Sequence, residues 1–230
     1  MTMSLLSVII PVYNEEKSIL KTLNDIKTFT SSIKKEVIVV NDGSTDLTLS
    51  ILKTNPTLYS KLITLNKNSG KGWAVKIGLL ESKGDYILIQ DADSEYNPQE
   101  IKRMWDYVCK LEIDLLTTTR FTGSQITRVH YFWHKVGNKF ITLVFNIRSN
   151  TTFTDIYSGY IIFRRNLLEP NSLRFKSWGQ QAEILRKIVR VTSNVYETPI
   201  NYYGRTYAEG KKIRAKNTAN VLFAILFTRK

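Results

Sequence analysis

In the first 120 residues, five short runs that are apolar almost throughout alternate with stretches of helical pattern, and this alternation constrains the fold more than any other feature. The runs are Leu6–Val12, Val37–Val40, Leu62–Leu65, Tyr86–Ile89 and Leu115–Thr118. Continuous apolarity over so few residues predicts strands buried on both faces, as in a parallel sheet. Between them, Glu16–Lys27, Asp46–Lys53, Gly70–Glu81 and Pro98–Lys110 read as helices. The last carries a start signal, with Asn97 as N-cap, Pro98 at the first helical position and Glu100 closing a capping box. Repeated βα units predict a doubly wound, mostly parallel α/β sheet with right-handed crossovers. Such sheets bind ligands at the carboxyl ends of their strands. Polar clusters follow the strands here: Asn14-Glu15, Asp42-Gly43-Ser44, Asn66–Lys71 and Asp91–Glu95. At 230 residues the chain has room for one such core.

The second half differs in kind. Residues 1–100 carry 11 basic and 12 acidic side chains, residues 101–230 carry 22 and 8, and no acid occurs from Arg120 to Thr154. This asymmetry predicts an anionic partner for the second half. Tyr131–Ile147 has apolar residues at 132, 133, 136, 140, 143, 144 and 147, a helical stripe, with His134, Lys135, Asn138, Lys139 and Asn146 on its other side. Basic amphipathic helices lie on membrane surfaces or pack on their own domain. A strand at Tyr160–Phe163, a helix near Gln180–Arg190, a strand near Val195–Ile200 and a basic tail with an apolar stretch follow. Aromatic residues are not interleaved with the basic runs, which speaks against nucleic acid. The single cysteine, Cys109, excludes an internal disulfide and reads as filler on an apolar helix face. The opening MTMSLLSVIIPVYNEE makes a poor signal peptide and a good strand, and Val221–Phe227 is too short to span a bilayer. A cytoplasmic protein is expected, peripheral on the cytoplasmic face of a membrane.

The loops after the strands carry the chemistry. Asp91 and Asp93 follow a strand, and alternate residues of an extended segment point the same way, so their carboxylates can share a face. Two such carboxylates with substrate phosphates suit Mg2+ or Mn2+. Asp42 follows another strand and can accept a hydrogen bond from a base or ribose, while Gly43 permits a tight turn and Ser44 or Thr45 can cap the next helix. Asn68-Ser69-Gly70-Lys71-Gly72 opens a helix, where backbone amides and Lys71 can face an anion. The spacing is not that of a phosphate-binding loop of ATPases or GTPases. Trp73, Trp105, Tyr202 and Tyr203 read as packing residues and His130 as structural or on the surface.

Six segments in order resemble glycosyltransferase family 2, most of all its dolichyl- or polyprenyl-phosphate sugar synthases: SVIIPVYNEE (7–16), VVNDGSTD (39–46), NKNSGKGWAVKIG (66–78), GDYILIQDADSEYNP (84–98), TDIYSGYIIFRR (154–165) and YETPINYYGRTYAEGKKI (196–213). The resemblance implies a GT-A, Rossmann-like fold over 1–213, with a nucleotide-binding half at 1–120 and an acceptor-side half at 121–213, followed by a basic amphipathic tail at 214–230. It implies that Pro11, Tyr13, Glu15 and Asp42 hold the nucleoside base, that Lys71 lies near the nucleotide, and that Asp91, Ala92 and Asp93 meet ribose, metal and diphosphate. Glu95 stands where many relatives have a metal-binding Gln, and so joins Asp91 and Asp93 as an implied metal ligand. Arg205 and Lys211 are similar to a basic clamp over the diphosphate, although Ala208 and Gly210 replace that loop's usual Gly and Ser. Arg120 resembles an arginine for the acceptor phosphate, Asp155 and Ser158-Gly159 resemble residues that line the reacting centre, and Asp93, Asp155 and Arg205 are the implied catalytic set. The register around Arg128 and His134 is loose.

The implied reaction moves a sugar from a UDP- or GDP-sugar to a membrane polyprenyl or dolichyl phosphate, with inversion at the anomeric centre. The alternative acceptor is a sugar hydroxyl of a glycan or glycolipid, and a remote alternative is a non-catalytic nucleotide-sugar-binding module. The expected partners are the nucleotide-sugar donor, the lipid phosphate, an anionic membrane surface and, in one version, a separate membrane-anchor protein.

Overall fold

The computed structural model describes residues 4–93, 95–121, 132–202 and 217–228. Its strands are β1 (Leu6–Val12), β2 (Lys35–Asn41), β3 (Lys61–Thr64), β4 (Tyr86–Ile89), β5 (Leu115–Thr119), β6 (Ile161–Arg164) and β7 (Val195–Pro199). Its helices are α1 (Ile19–Phe29), α2 (Thr48–Thr54), α3 (Lys71–Glu81), α4 (Gln99–Leu111), α5 (Phe132–Ser149), α6 (Gln180–Ile188) and α7 (Asn217–Phe227). The strands form one sheet in the order β3-β2-β1-β4-β6-β5-β7. All its pairings are parallel except those of β6, which lies antiparallel to both β4 and β5. The single mostly parallel α/β sheet follows the expected pattern, and β6 and β7 join the two sequence halves in one layer.

Alternate residues of the central strands feed two cores. Leu6, Val8, Ile10 and Val12 of β1 pack with α1 and with Ile101, Met104 and Trp105 of α4. Ile9, with Ile87 and Ile89 of β4, packs with residues of α3, α5, α6 and α7 on the other face. Helices therefore cover both sides of the sheet, which is why the strands read as continuous apolar runs. The exception is β3, whose four residues are all partly or fully exposed because it is an edge strand.

Local signals were met unevenly. Asn97 Oδ1 accepts the Gln99 amide at 3.0 Å, but α4 starts one residue later than expected, with Pro98 and not Asn97 at the N-cap. Glu100 does not close a capping box, because its carboxylate turns to Arg103 at 2.7 Å. Neither Ser44 nor Thr45 caps α2; Asp46 accepts the Thr48 amide (3.0 Å) and Glu16 accepts the Leu47 amide (3.0 Å), while Ser44 Oγ accepts the Asn14 amide (3.0 Å). Cys109 is exposed, because α4 buries Met104, Trp105 and Val108 and turns position 109 outward. Trp105 packs edge-on against Tyr86, with ring centroids 5.4 Å apart.

Candidate active site

Strand order reverses beside β1, where β2 lies on one side and β4 on the other. A crevice at that switch point, past the carboxyl ends of the strands, is where an open α/β sheet binds its ligand. A cleft of about 310 Å³ opens there. Pro11 and Tyr13 reach it from the end of β1, with Glu15 just beyond, and Asp42 reaches it from the end of β2. Lys71 comes from the start of α3, and Asp91, Ala92, Asp93 and Glu95 come from the loop after β4. Arg120, from the end of β5, lines the far side. Four loops and the end of β5 thus bring ten of the fourteen predicted residues to one space. Arg205 and Lys211 lie outside the described residues, as do Arg128 and His130.

Asp42 holds two loops together. Its Oδ1 accepts the Ser69 amide at 2.7 Å and its Oδ2 the Gly70 amide at 2.8 Å. Burial pushes its carboxyl up, against the pull of those two hydrogen bonds. Gly43, at φ 67°, lets the loop after β2 lie directly on the backbone of Lys67 and Asn68, where a Cβ would have no room. This corrects one expectation: the Ser69 and Gly70 amides are taken by Asp42, so this loop meets an anion through the Lys71 ammonium. Lys71 Nζ sits 2.5 Å from Asp91 Oδ1 and 5.9 Å from the centre of the Trp178 ring.

Asp91, Asp93 and Glu95 share the cleft but do not converge. Asp91 lies two residues past the end of β4, and Ala92 and Asp93 form a turn rather than the extended segment the spacing suggested. Asp93 Oδ1 accepts the Glu95 amide at 3.1 Å, and Glu95 Oε2 accepts the Tyr202 hydroxyl at 2.8 Å. Among the described residues no group of three His, Cys, Asp or Glu side chains is placed to hold a metal ion. Glu95, the third ligand that the resemblance implies, here accepts the Tyr202 hydroxyl, and Tyr202 lies over Tyr96 with ring centroids 5.1 Å apart. Asp91 and Asp93 remain as a pair of hard oxygen donors in the cleft wall. With diphosphate oxygens they fit Mg2+ or Mn2+, which need only one or two protein carboxylates.

Behind the Arg120 side of the cleft stands a buried ion pair. Arg120 Nε and Nη2 donate to the two oxygens of Asp155 at 2.6 and 2.9 Å, and the Asp155 side chain is fully enclosed. The Arg120 and Tyr157 amides add hydrogen bonds of 3.3 and 3.2 Å, so each carboxylate oxygen has two donors. Burial works against the Arg120 charge, and the Asp155 carboxylate more than offsets it, holding the guanidinium well above its ordinary value. Asp155 therefore supports the wall instead of lining the reacting centre as the resemblance implies. Ser158 is likewise behind the wall, its hydroxyl bonded to that of Thr118, while Gly159 does reach the cleft.

Sequence reasoning missed several parts of this side. Tyr157, Trp178, Gln180 and Gln181 line the cleft, and Gln181 Nε2 holds the Ile156 and Ser158 carbonyls at 3.1 and 2.6 Å. The available signal was Trp178-Gly179 directly before the helical pattern of 180–190, with a polar pair at its start. Glu197 of β7 was missed as well. It accepts the Thr154 amide (3.0 Å), the Thr154 hydroxyl (2.7 Å) and the Asp155 amide (3.2 Å), so β7 fixes the segment that carries Asp155.

Burial raises the Glu197 carboxyl above its ordinary value, and the hydrogen bonds from Thr154 pull against this. The folded chain then takes up a proton at Glu197 more readily than the unfolded chain does. Its contribution to stability is fully present below about pH 4 and is lost as pH rises through the native pKa. The melting midpoint of the native protein minus that of Glu197→Gln should accordingly fall between about pH 4 and pH 7. A difference that stays flat or grows would show that Glu197 is not a strained carboxylate.

The model of glycosyl transferase family 2 matches residues 7–170 of the chain. A dolichyl-phosphate beta-glucosyltransferase of Dictyostelium discoideum is 28% identical over 230 residues, covering 90% of this chain and 68% of its own. A protein of the same name from Saccharomyces cerevisiae is 29% identical over 225 residues, covering 86% and 66%. The chain thus spans about two thirds of the length of these relatives. Among solved structures, glucosyl-3-phosphoglycerate synthase from Mycobacterium tuberculosis, in complex with Mn2+, uridine-diphosphate and phosphoglyceric acid, superposes with a TM-score of 0.72 at 18% identity, covering 99% of this chain and 80% of that one. At that identity the likeness shows a shared fold.

Proposed function

The chain belongs to glycosyl transferase family 2, and from that premise we propose that it transfers a sugar from a nucleoside diphosphate donor to an acceptor that enters the same cleft from the Arg120 side. The observation that carries this reading is the meeting of Asp42, Lys71, Asp91 and Asp93 in one cleft at the strand-order reversal, with Arg120 opposite. Tyr13, Glu15 and Asp42 form the end suited to the nucleoside. Lys71 and the Asp91–Asp93 turn form the end suited to the diphosphate.

In this transfer the bond between the anomeric carbon and the β-phosphate oxygen breaks, and its electron pair leaves with the nucleoside diphosphate. The acceptor oxygen bonds to the anomeric carbon from the opposite face. Charge builds on the leaving diphosphate, and cationic groups fixed beforehand beside those oxygens lower the barrier. Lys71 is one such group, and Arg205 and Lys211 are others on the strength of the resemblance. Asp91 and Asp93 would hold the divalent ion, which supplies further charge neutralisation at the diphosphate. Asp155 keeps Arg120 extended toward the acceptor.

Two acceptor classes compete, each with its own support. A lipid phosphate is favoured by the relatives named for dolichyl phosphate and by the sealing of Asp155, since a phosphate monoester is already ionised near pH 7 and needs no base. A non-lipid acceptor or a sugar hydroxyl is favoured by the likeness to a synthase solved in complex with phosphoglyceric acid. The balance of the comparisons lies with this second class. A hydroxyl acceptor needs a base, and Glu95 on the cleft wall is a candidate for it. A panel of UDP- and GDP-sugars, beginning with UDP-glucose, assayed for hydrolysis with Mn2+ present, tests the common part of both readings. At least one donor should be consumed, and chelator should suppress the reaction. A chain that binds no nucleoside diphosphate and hydrolyses no donor would sink the proposal.

A further inference from the structure

Away from the cleft, the least accounted-for surface is the outer side of α5 and α7. Apolar residues of α5 fall into two stripes. Ile141 and Phe145 are buried in the core beneath the sheet. Phe132, Trp133, Val136, Phe140, Leu143 and Ile147 stand in solvent, with 69%, 77% and 75% of Phe132, Trp133 and Ile147 exposed. The spacing from Trp133 onward is three or four residues at each step, so the outer stripe runs along one face for about 21 Å at 1.5 Å per residue. This is the stripe that dominates the sequence pattern, and it points away from the core. In α7, Val221, Ala224 and Ile225 pack inward while Phe223, Leu226 and Phe227 are exposed. The two helices pack against each other, and α7 also packs on α6.

Apolar faces of this extent mark an interface with a protein or a membrane, and charge separates the two. Lys135, Lys139 and Arg148 are exposed on α5, and neither α5 nor α7 contains a single acidic residue. By helical spacing Lys139 and Arg148 flank the apolar stripe, so a second copy docked through this face would bring these flanking cations toward their own duplicates with no carboxylate on either helix to pair them, which opposes association. Anionic lipid headgroups supply the missing charge, the acyl boundary takes the apolar stripe, and Trp133 suits the interfacial depth that tryptophan favours. The face also reaches the cleft. Phe223 stacks on Phe227 at 4.4 Å and meets Phe175 at 6.2 Å, and Phe175 lies just before Ser177 and Trp178 in the cleft wall.

We propose that α5 and α7 together form the plane by which the protein docks on an anionic bilayer, with the Ser177–Trp178 wall of the cleft next to the lipid surface. Docking is independent of the acceptor the cleft uses, and it is read without turnover, so its failure and that of the proposed reaction are distinguishable.

The test is co-sedimentation of the full chain with vesicles of phosphatidylcholine alone or mixed with phosphatidylglycerol. Binding is expected only to the mixed vesicles, and it should weaken as salt rises beyond about 0.1 M, where screening acts over roughly 10 Å. Lys135→Gln and Lys139→Gln should each reduce partitioning about fivefold. The double variant Phe140→Ser/Ile147→Ser should reduce it at least about tenfold, by loss of buried apolar area, with an unchanged melting curve because both side chains are solvent-facing. Leu111→Ser, an exposed apolar change on α4 across the sheet, should have no effect. Three outcomes would overturn the proposal: no binding to mixed vesicles at low salt, binding untouched by the α5 variants, or a dimer in the absence of lipid that Phe140→Ser/Ile147→Ser dissolves.

Discussion

Asp93→Asn should lower sugar transfer by about 10² or more, the loss expected when a group that stabilises developing charge is removed. The substitution keeps the local structure. Asp93 Oδ1 accepts the Glu95 amide at 3.1 Å, and an asparagine oxygen can do the same, so the turn after β4 should persist. What disappears is one of the two carboxylates that fit a divalent ion beside the diphosphate. Asp91 cannot replace it alone, because Lys71 lies 2.5 Å from Asp91 Oδ1 and already competes for that oxygen. The effect should also be visible without turnover. Binding of UDP or GDP, measured by calorimetry, should tighten on adding Mn2+ for the native chain, and Asp93→Asn should lose that increment while its binding in chelator stays close to native. A variant with near-native rates, or a native enzyme indifferent to chelator, would remove Asp93 and the metal from the reaction.

The donor half of the cleft could be read from the chain because it is built locally. Each of its loops follows an apolar run directly, so Tyr13, Asp42 and Asp91 are placed by the ends of β1, β2 and β4. The parallel core was legible for the same reason, since strands covered on both faces leave unbroken apolar runs. The far side was not, because it is assembled across long separations. Arg120 meets Asp155 35 residues away, and the Asp155 segment is held in turn by Glu197, 42 residues further on. No spacing rule connects such partners. Trp178 and Gln181 come from a loop and helix start that carry no phosphate or metal pattern. Periodicity predicted α5 correctly but could not say which of its two apolar stripes faces inward, since both have helical spacing and only packing against α7 and the core beneath the sheet distinguishes them. Glu95 was legible as part of a motif, but its bond with Tyr202, 107 residues away, was not.

The sealed ion pair makes the acceptor question answerable. Asp155→Asn leaves the Arg120 guanidinium in a largely dry wall without its counter-charge, and breaking a buried pair by removing one partner costs about 3–5 kcal/mol. For a chain of this size that corresponds to a fall in melting midpoint of roughly 10 °C. Catalysis must therefore be measured well below the variant's own midpoint. Under those conditions the role of Asp155 separates the acceptors. If it only positions Arg120, the variant should raise KM for an anionic acceptor while kcat falls little, and Arg120→Lys should share the defect because a lysine cannot make the two-pronged contact. With a lipid phosphate the rate of native and variant alike should rise with pH through about 6, the second ionisation of the phosphate. If instead Asp155 takes a proton from a hydroxyl acceptor, its loss should cost about 10²–10⁴ in kcat and abolish the acid limb of the native pH profile. Its four hydrogen-bond donors and its enclosure argue for the first outcome. A kcat loss of that size with a hydroxyl acceptor, together with no transfer to any polyprenyl phosphate, would mean that the Arg120–Asp155 pair opens during turnover and that the cleft works on hydroxyls.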